Sequence, residues 1–281
     1  KTDGSKAAAS DRTEVEQKLD LWTGVIHSSC RFEGEPIKVR TAVHPALDML
    51  AVSVESPLLN GKEKLPIGFA FPYGSQMMQA ADWNQPNAHR SEQISKAENR
   101  VVIKRTLDND EYFVDVRWGG TSAIFVRESS LPPHNYSLIT DGQTSLDFTV
   151  HFSPASPVDS LPSVSDTFAA IEKHWKAFWT NGAAIDFSGS KDPRAKELER
   201  RVVLSQYVTA IQCSGSTPPQ ETGLTTNSWY GKFHLEMHWW HAAQFALWNR
   251  VEMLEKSLGY YSRILDSARD KAKLQGYEGA R

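Results

Sequence analysis

Apolar and polar residues alternate with a period close to two over the first half of the chain, from about Val15 to Phe152. Such alternation is typical of β-strands that bury one face. Gly34, Asp108-Asn109 and Gly119-Gly120 supply turn residues between the alternating runs. The pattern predicts an antiparallel β-sandwich domain over residues 1–152. The predicted strands are 19–28, 37–43, 50–56, 101–107, 112–118, 122–126 and 146–152.

Two stretches depart from this pattern. Residues 72–97 have no clear period and predict a long loop, which contains Trp83 and His89. Long loops in compact domains often carry function. Residues 153–165 are rich in Ser, Asp and Pro, which prevents regular structure and predicts a domain boundary.

Beyond this boundary, apolar residues recur with the 3.6-residue period of helices. Ser165 can cap the first helix, Asp192-Pro193 predicts the start of the second, and Gly259 separates the third from the fourth. We therefore assign 153–191 to a linker and linker helix and 192–281 to a helical domain. The predicted helices cover about 165–181, 192–213, 234–258 and 260–274.

Composition argues against several classes of protein. The net charge is −3, from 31 basic and 34 acidic residues, and the absence of a long basic run argues against nucleic-acid binding. No apolar stretch approaches the roughly 20 residues that span a bilayer, so no membrane partner is expected. Two distant cysteines, Cys30 and Cys213, cannot define a disulfide framework or a zinc site.

One segment, Pro218 to Arg250, concentrates the residue types that bind sugars. It contains four Trp, three His, two Glu and one Lys. Aromatic faces cover the apolar C–H surface of a sugar ring, while charged and amide groups bond its hydroxyls. Hydrolysis of a glycosidic bond additionally requires two carboxyl groups. The segment therefore predicts a carbohydrate site.

Helix geometry limits which of these residues can face one site. At 100° per residue, His234, His238 and His241 share a stripe, and Glu236 points about 160° away from His234. His234 and Glu236 can face one site only if the helix begins near Glu236. Two alternatives stay open at this point. The three His could ligate a metal, or the aromatic residues, including Trp239 and Trp240, could form a helix core.

These residues resemble motifs of the six-hairpin glycosidase superfamily, which includes inverting α-L-fucosidases and the maltose and kojibiose phosphorylases. The residues 219–223, 232–233 and 234–240 are similar to the fucosidase pattern of a Leu-Gln-Gly loop, Lys-Tyr-Thr, and Asn-x-Asn-Thr-Glu-Met-Asn-Tyr-Trp. The phosphorylases have Trp-Asp-Thr-Glu where this chain has Phe233 to Glu236. His234 thus replaces the phosphorylase Asp, and Lys232 or a neighbour together with His234 replaces the fucosidase Asn pair.

The resemblance implies an N-terminal β-sandwich, a linker helix and the first helices of an (α/α)6 barrel. It implies that Trp229, Lys232, His234 and Glu236 line the sugar-binding subsite next to the scissile bond. The cluster at the start of the third helix makes Glu236 the catalytic candidate, and no metal and no cofactor are expected. The expected substrate-binding residues are Trp229, Lys232, His234, His238, Trp239, Gln220 and Glu221.

The resemblance also implies that the barrel is incomplete. Such a barrel has twelve helices, of which about three precede Arg281, so its general acid and base are expected further along. The expected partners are a carbohydrate substrate and the remainder of the barrel, in the same or a second chain. The family suggests a periplasmic or secreted location.

These expectations favour a glycoside hydrolase, most simply an inverting one. Two other functions stay open. A glycoside phosphorylase could use the same fold with a phosphate site, and a non-catalytic carbohydrate-binding protein could use the helices as structural support.

Overall fold

A computed structural model describes residues 1, 6–60, 65–120, 123–127, 133–140 and 142–279. The chain forms two compact units, here called the sandwich unit and the helical unit. The sandwich unit is Lys1–Gly74 with Ala81–Ala177, and the helical unit is Ser75–Ala80 with Phe178–Arg281. The predicted boundaries at 152/153 and 191/192 lie on either side of the division at 177/178.

The sandwich unit is built from antiparallel strands. They are β1 (Arg12–Asp20), β2 (Val25–Phe32), β3 (Glu35–Val43), β4 (Met49–Glu55), β5 (Ile67–Ala70), β6 (Tyr73–Gly74), β7 (Ala81–Asp82), β8 (His89–Ala97), β9 (Arg100–Leu107), β10 (Asp110–Trp118), β11 (Ala123–Arg127), β12 (Asn135–Thr140) and β13 (Ser145–Ser153). Among the described residues, one sheet has the order β1-β2-β3-β4-β13-β10-β9-β8, and a second has the order β11-β12-β5.

The core of this unit lies between the two sheets. Ile103 and Val114 of the large sheet are fully buried together with Phe125 and Leu138 of the small sheet. Phe69 adds a ring contact, with its centroid 5.4 Å from that of Phe125. The predicted antiparallel sandwich is therefore present. Of the predicted strand 122–126, Ser122 lies outside the described residues.

The prediction of a loop over 72–97 is wrong, because this stretch contains β6, β7 and the nine-residue strand β8. The strand β8 lies at one edge of the large sheet, and nearly all its residues are exposed. A polar edge strand shows no apolar alternation, since neither face is buried. The predicted strand 19–28 is also wrong, because it spans the end of β1, the turn 21–24 and the start of β2. The polar strand β1, at the opposite edge, shows no apolar alternation for the same reason as β8.

A buried carboxylate fixes the segment that leaves the sandwich. Asp115 is 1% exposed and accepts hydrogen bonds from the guanidinium groups of Arg100, at 3.0 Å, and Arg117, at 2.8 Å. Both arginines also donate to the backbone carbonyl of Val158, and Arg117 donates to that of Asp159. The linker thus lacks regular structure, but its backbone carbonyls accept hydrogen bonds from arginine side chains of the sheet.

The first helix, α1 (Val164–Thr180), begins one residue earlier than predicted. The Ser163 hydroxyl accepts from the backbone N–H of Asp166 at 3.1 Å, and the Asp166 carboxylate accepts from the Ser163 N–H at 3.2 Å. This reciprocal pair is a capping box, so Ser163 and not Ser165 is the cap. The Asp166 carboxylate also accepts a hydrogen bond from the Ser163 hydroxyl. This bond, and then the bond from the Ser163 N–H, lower the pKa of Asp166.

The helical unit contains the end of α1 and three further helices. They are α2 (Ala195–Cys213), α3 (Leu235–Leu247) and α4 (Val251–Leu274). The predicted start of α2 at Asp192-Pro193 is two residues early. The predicted break at Gly259 is also wrong, because Gly259 lies within α4. The break lies at Asn249, whose φ of 56° is left-handed. Asn tolerates that conformation and can end a helix.

Arg250 holds this break in place. Its buried guanidinium donates to Gln206 Oε1 of α2 at 2.7 Å and to the carbonyl of Phe178 at 3.1 Å. The same group lies 4.1 Å from the centroid of the Phe178 ring, a cation–π contact. One side chain therefore joins the end of α1, α2 and the α3–α4 junction.

A second buried arginine orders the segment before β8. Arg105 is fully buried and donates to His89 Nδ1 at 2.7 Å and to the carbonyl of Pro72 at 3.1 Å. His89 must be neutral to accept this bond, and its ring stacks on His134 with centroids 3.9 Å apart. Burial, and then the charges of His134 and Arg105, lower the pKa of His89 to about 4.

Stability should therefore fall on mild acidification through His89. The unfolded chain binds a proton at this residue below about pH 6.5, whereas the folded protein binds it below about pH 4. Between these values the unfolded state holds the extra proton, so the free energy of unfolding falls with falling pH. His89→Asn keeps an acceptor and does not titrate. Urea unfolding at pH 7, 6 and 5 should show a shallower pH dependence for this variant than for the wild type, and equal slopes would contradict the account.

Asp115→Asn should destabilise the fold by about 3–5 kcal/mol, because it leaves two arginines without their carboxylate partner. Guanidinium unfolding measures this loss. Asp110→Asn is the matched control on the same strand, since Asp110 is exposed, and its effect should stay within about 0.5 kcal/mol. Equal effects of the two substitutions would show that the buried cluster contributes little.

Candidate functional site

The site is built on the loop that joins α2 to α3. This loop has almost no regular secondary structure, so its backbone groups need side-chain partners. Gln212 supplies one acceptor, because its Oε1 atom accepts from the N–H groups of Leu224, at 2.7 Å, and Thr225, at 3.2 Å. A Cβ on Gly223 would lie 2.6 Å from the same oxygen, and its φ is +82°. Position 223 therefore needs glycine.

Two further side chains fix the second half of the loop. Gln220 Oε1 accepts from the Ser228 N–H at 3.2 Å. His241 of α3 lies 2.9 Å through Nε2 from the carbonyl of Glu221, which requires the proton on Nε2. Gln220 and the backbone of Glu221, both predicted to bind substrate, thus hold the loop in place. Glu221 itself is half-buried.

Three consecutive residues then adopt left-handed backbone angles. The φ values are 45° for Trp229, 61° for Tyr230 and 67° for Gly231. For non-glycine residues this conformation costs about 1 kcal/mol or more, and such strain is concentrated at functional sites. The turn exposes both aromatic rings, and Trp229 is 62% exposed. Lys232 Nζ lies 5.7 Å from the Tyr230 ring centroid.

The helix α3 starts directly after this aromatic turn. His234 is the last extended residue, with φ −121° and ψ 124°, and α3 begins at Leu235. His234 and Glu236 can face one site only if the helix begins near Glu236, and α3 begins one residue before Glu236. The His234 ring packs edge-on against Trp229 with centroids 6.3 Å apart, and its Nε2 atom is buried without a hydrogen-bond partner. Glu236 lies exposed in the first turn, where a negative charge is favourable.

His238 lies in a different environment from the other predicted site residues. It is buried between α3 and α4, with Nδ1 2.6 Å from the Tyr261 hydroxyl and Nε2 2.9 Å from Ser257 Oγ. Ser257 donates its proton to the Leu254 carbonyl, so His238 must donate through Nε2 and accept through Nδ1. Burial, and then His241, lower the pKa of His238. This geometry favours a packing role over the predicted contact with substrate.

Trp239 and Trp240 are 70% and 72% exposed, which argues against the alternative that they form a helix core. Phe245, on the same helix, is buried and does belong to the core. The structure therefore packs Trp229 against His234, and Lys232, Glu236 and Trp239 lie exposed close to them along the chain. We call this group the aromatic shelf.

Sequence reasoning missed Tyr230 and Asn227. Tyr230 stands next to the predicted Trp229, but its left-handed backbone has no sequence signal. Asn227 Nδ2 donates to the carbonyls of Ser75, at 3.2 Å, and Met77, at 2.7 Å, some 150 residues earlier. Such a long-range contact leaves no local pattern.

Neither a metal centre nor a membrane span emerges from the described residues. Among the described residues, no cluster of three or more His, Cys, Asp or Glu could hold a metal ion. Within the same ranges, no helix has the length and apolar character needed to cross a membrane.

No protein-family model matches the chain, and no curated protein matches its sequence. Solved structures do match. A protein named as a kojibiose phosphorylase, from the human microbiome, superposes with a TM-score of 0.63 at 11% identity, over 93% of this chain and 37% of its own. A bacterial glucoamylase complexed with acarbose superposes with a TM-score of 0.53 at 10% identity, over 91% of this chain and 42% of its own.

This chain has the fold of their N-terminal part. It spans well under half the length of either structure. The predicted architecture, an antiparallel β-sandwich followed by the first helices of a glycosidase barrel, is confirmed. At this level of identity the likeness concerns the fold alone.

His238→Ala should lower the free energy of unfolding by about 2–3 kcal/mol, because it leaves the Tyr261 and Ser257 hydroxyls without their partner. Trp239→Ala, on the same helix, should change it by less than about 0.5 kcal/mol, since that ring is exposed. Thermal unfolding of the two variants provides the comparison. A larger loss for Trp239→Ala would mean that its ring is packed in the folded protein.

Proposed function

We propose that this chain forms part of a carbohydrate-active enzyme that hydrolyses a glycosidic bond, with a sugar ring bound on the aromatic shelf. The observation that carries this proposal is the exposed Trp229, held in a strained turn just before α3, whose first turn carries the exposed Glu236. Strain and exposure of a large apolar ring both cost free energy, so a ligand-binding role accounts for their retention. The fold likeness supports the same class of function.

Each shelf residue has a distinct role in this proposal. The faces of Trp229 and Trp239 stack on the apolar surface of the sugar, and Lys232 bonds its hydroxyls. His234 supports the Trp229 ring. Its Nε2 atom has no hydrogen-bond partner among the described residues, and we expect it to bond to the sugar or to further protein. Glu236 is the candidate catalytic carboxylate of this chain: it is open to solvent and is proposed to stabilise the positive charge that develops on the sugar in the transition state, while the general acid and base lie elsewhere.

The proposal requires more protein than the helices described here. Leu247, Leu258 and Leu274 are exposed apolar residues of α3 and α4. Exposed apolar helix faces bind further protein, so we infer that the remaining barrel helices cover them, from the same or a second chain. The general acid and base then come from that remainder, and an inverting outcome remains part of the proposal. A periplasmic or secreted location stays a prediction.

Phosphorolysis is a second candidate, because one of the similar structures is named as a kojibiose phosphorylase. The two reactions differ in the group that attacks the sugar, which is water in hydrolysis and phosphate in phosphorolysis. Dependence of the rate of disaccharide cleavage on phosphate therefore separates them.

In the complete enzyme, Trp229→Ala should raise KM about 10- to 100-fold through lost apolar contact with the sugar ring, and Glu236→Gln should lower kcat about 100-fold or more through lost charge stabilisation of the transition state. Kojibiose and maltose, each with and without phosphate, are the substrates to assay. Trp22→Ala, an exposed tryptophan of the sandwich unit, is the matched control and should leave both constants unchanged. Wild-type kinetics in both shelf variants would rule out the proposed site.

A further inference from the structure

A short turn from the first half of the chain is hydrogen-bonded to the loop that carries Trp229. Residues 75–80 belong to the helical unit, although the sandwich unit precedes and follows them in sequence. The turn is closed by a hydrogen bond of 2.7 Å from the Ser75 N–H to the Ala80 carbonyl. The Ser75 hydroxyl also accepts from the Met77 N–H at 3.1 Å.

Asn227 connects this turn to the shelf. Its Nδ2 group donates to the carbonyls of Ser75 and Met77, so one carboxamide holds the turn at two points. On its other side, its Oδ1 atom lies 2.8 Å from where a Cβ on Gly231 would be. The carboxamide therefore lies between the 75–80 turn and the backbone of the strained turn that carries Trp229.

The 75–80 turn presents two apolar side chains to solvent. Met77 is 57% exposed and Met78 is 70% exposed. Methionine side chains are flexible and polarizable, so they adapt to ligands of irregular shape and contact the apolar faces of rings. A pair of exposed methionines, on a turn that is hydrogen-bonded to Asn227 two residues before Trp229, has the chemistry of a second wall of a binding site.

Assuming the proposed function, we propose that Met77 and Met78 form a second wall of the sugar site, and that Asn227 is the positioning residue that holds this wall against the shelf. The wall contacts the part of an oligosaccharide that extends beyond the ring stacked on Trp229. It therefore determines affinity for chains of several sugars and does not affect a single sugar.

The test compares the binding of a long and a short ligand to the complete enzyme. Acarbose, a pseudo-tetrasaccharide, and glucose are titrated while intrinsic tryptophan fluorescence is followed. Met77→Ser with Met78→Ser should raise the Kd for acarbose about fivefold and leave the Kd for glucose unchanged. Asn227→Asp removes both N–H donors and keeps the shape of the side chain. It should raise the Kd for acarbose about tenfold and again leave the Kd for glucose unchanged. Val15→Ser, at an exposed apolar residue of the sandwich unit, is the control and should bind both as the wild type does.

Hydrogen exchange adds a readout that needs no ligand. Asn227→Asp should speed exchange of the backbone amides of 75–80, because the turn loses its two contacts. Unchanged exchange, wild-type acarbose affinity in the methionine pair, or an equal loss for glucose and acarbose would each overturn the second wall. If acarbose binds the wild type and Trp229→Ala weakens it while the methionine pair has no effect, only this inference fails. If the wild type binds neither sugar, the proposed function fails with it.

Discussion

The candidate site depends on the hydrogen bonding of a loop that has almost no regular secondary structure. A loop of this kind keeps one conformation only if its backbone groups find partners, and here Gln212, Gln220 and His241 supply them. Because that framework is fixed, Trp229 and Tyr230 can be held in a left-handed, exposed turn at the start of α3. Without it, the strained turn would relax and the rings would lose their position at the start of α3.

Two buried polar side chains position the helices that carry this loop. Arg250 joins α2 to the α3–α4 junction, and His238 joins α3 to α4 through Tyr261 and Ser257. Both groups are costly to bury, and their hydrogen bonds offset this cost only in one arrangement of the helices. The helical unit thus gains a defined geometry from polar contacts, while apolar residues such as Leu247, Leu258 and Leu274 stay exposed.

Periodicity predicted the sandwich and the helices well where one face of an element is buried, as for β9, β10 and α1. It failed at the sheet edges, since the polar strands β1 and β8 bury neither face. It also misplaced the α3–α4 break, because Asn249 ends α3 while Gly259 is accommodated within α4. The residue types of the shelf were predictable from their concentration in one segment. The burial of His238 and the contacts of Asn227 were not, because both depend on residues far away in sequence.

The central claim is that the exposed rings at the start of α3 surround a sugar. A crystal structure of the complete enzyme with acarbose bound tests it most directly. The account predicts a sugar ring stacked on the face of Trp229, with Glu236 within hydrogen-bond distance of the ligand. A structure with the ligand bound elsewhere, and with Trp229 and Trp239 packed only against other barrel helices, would contradict it.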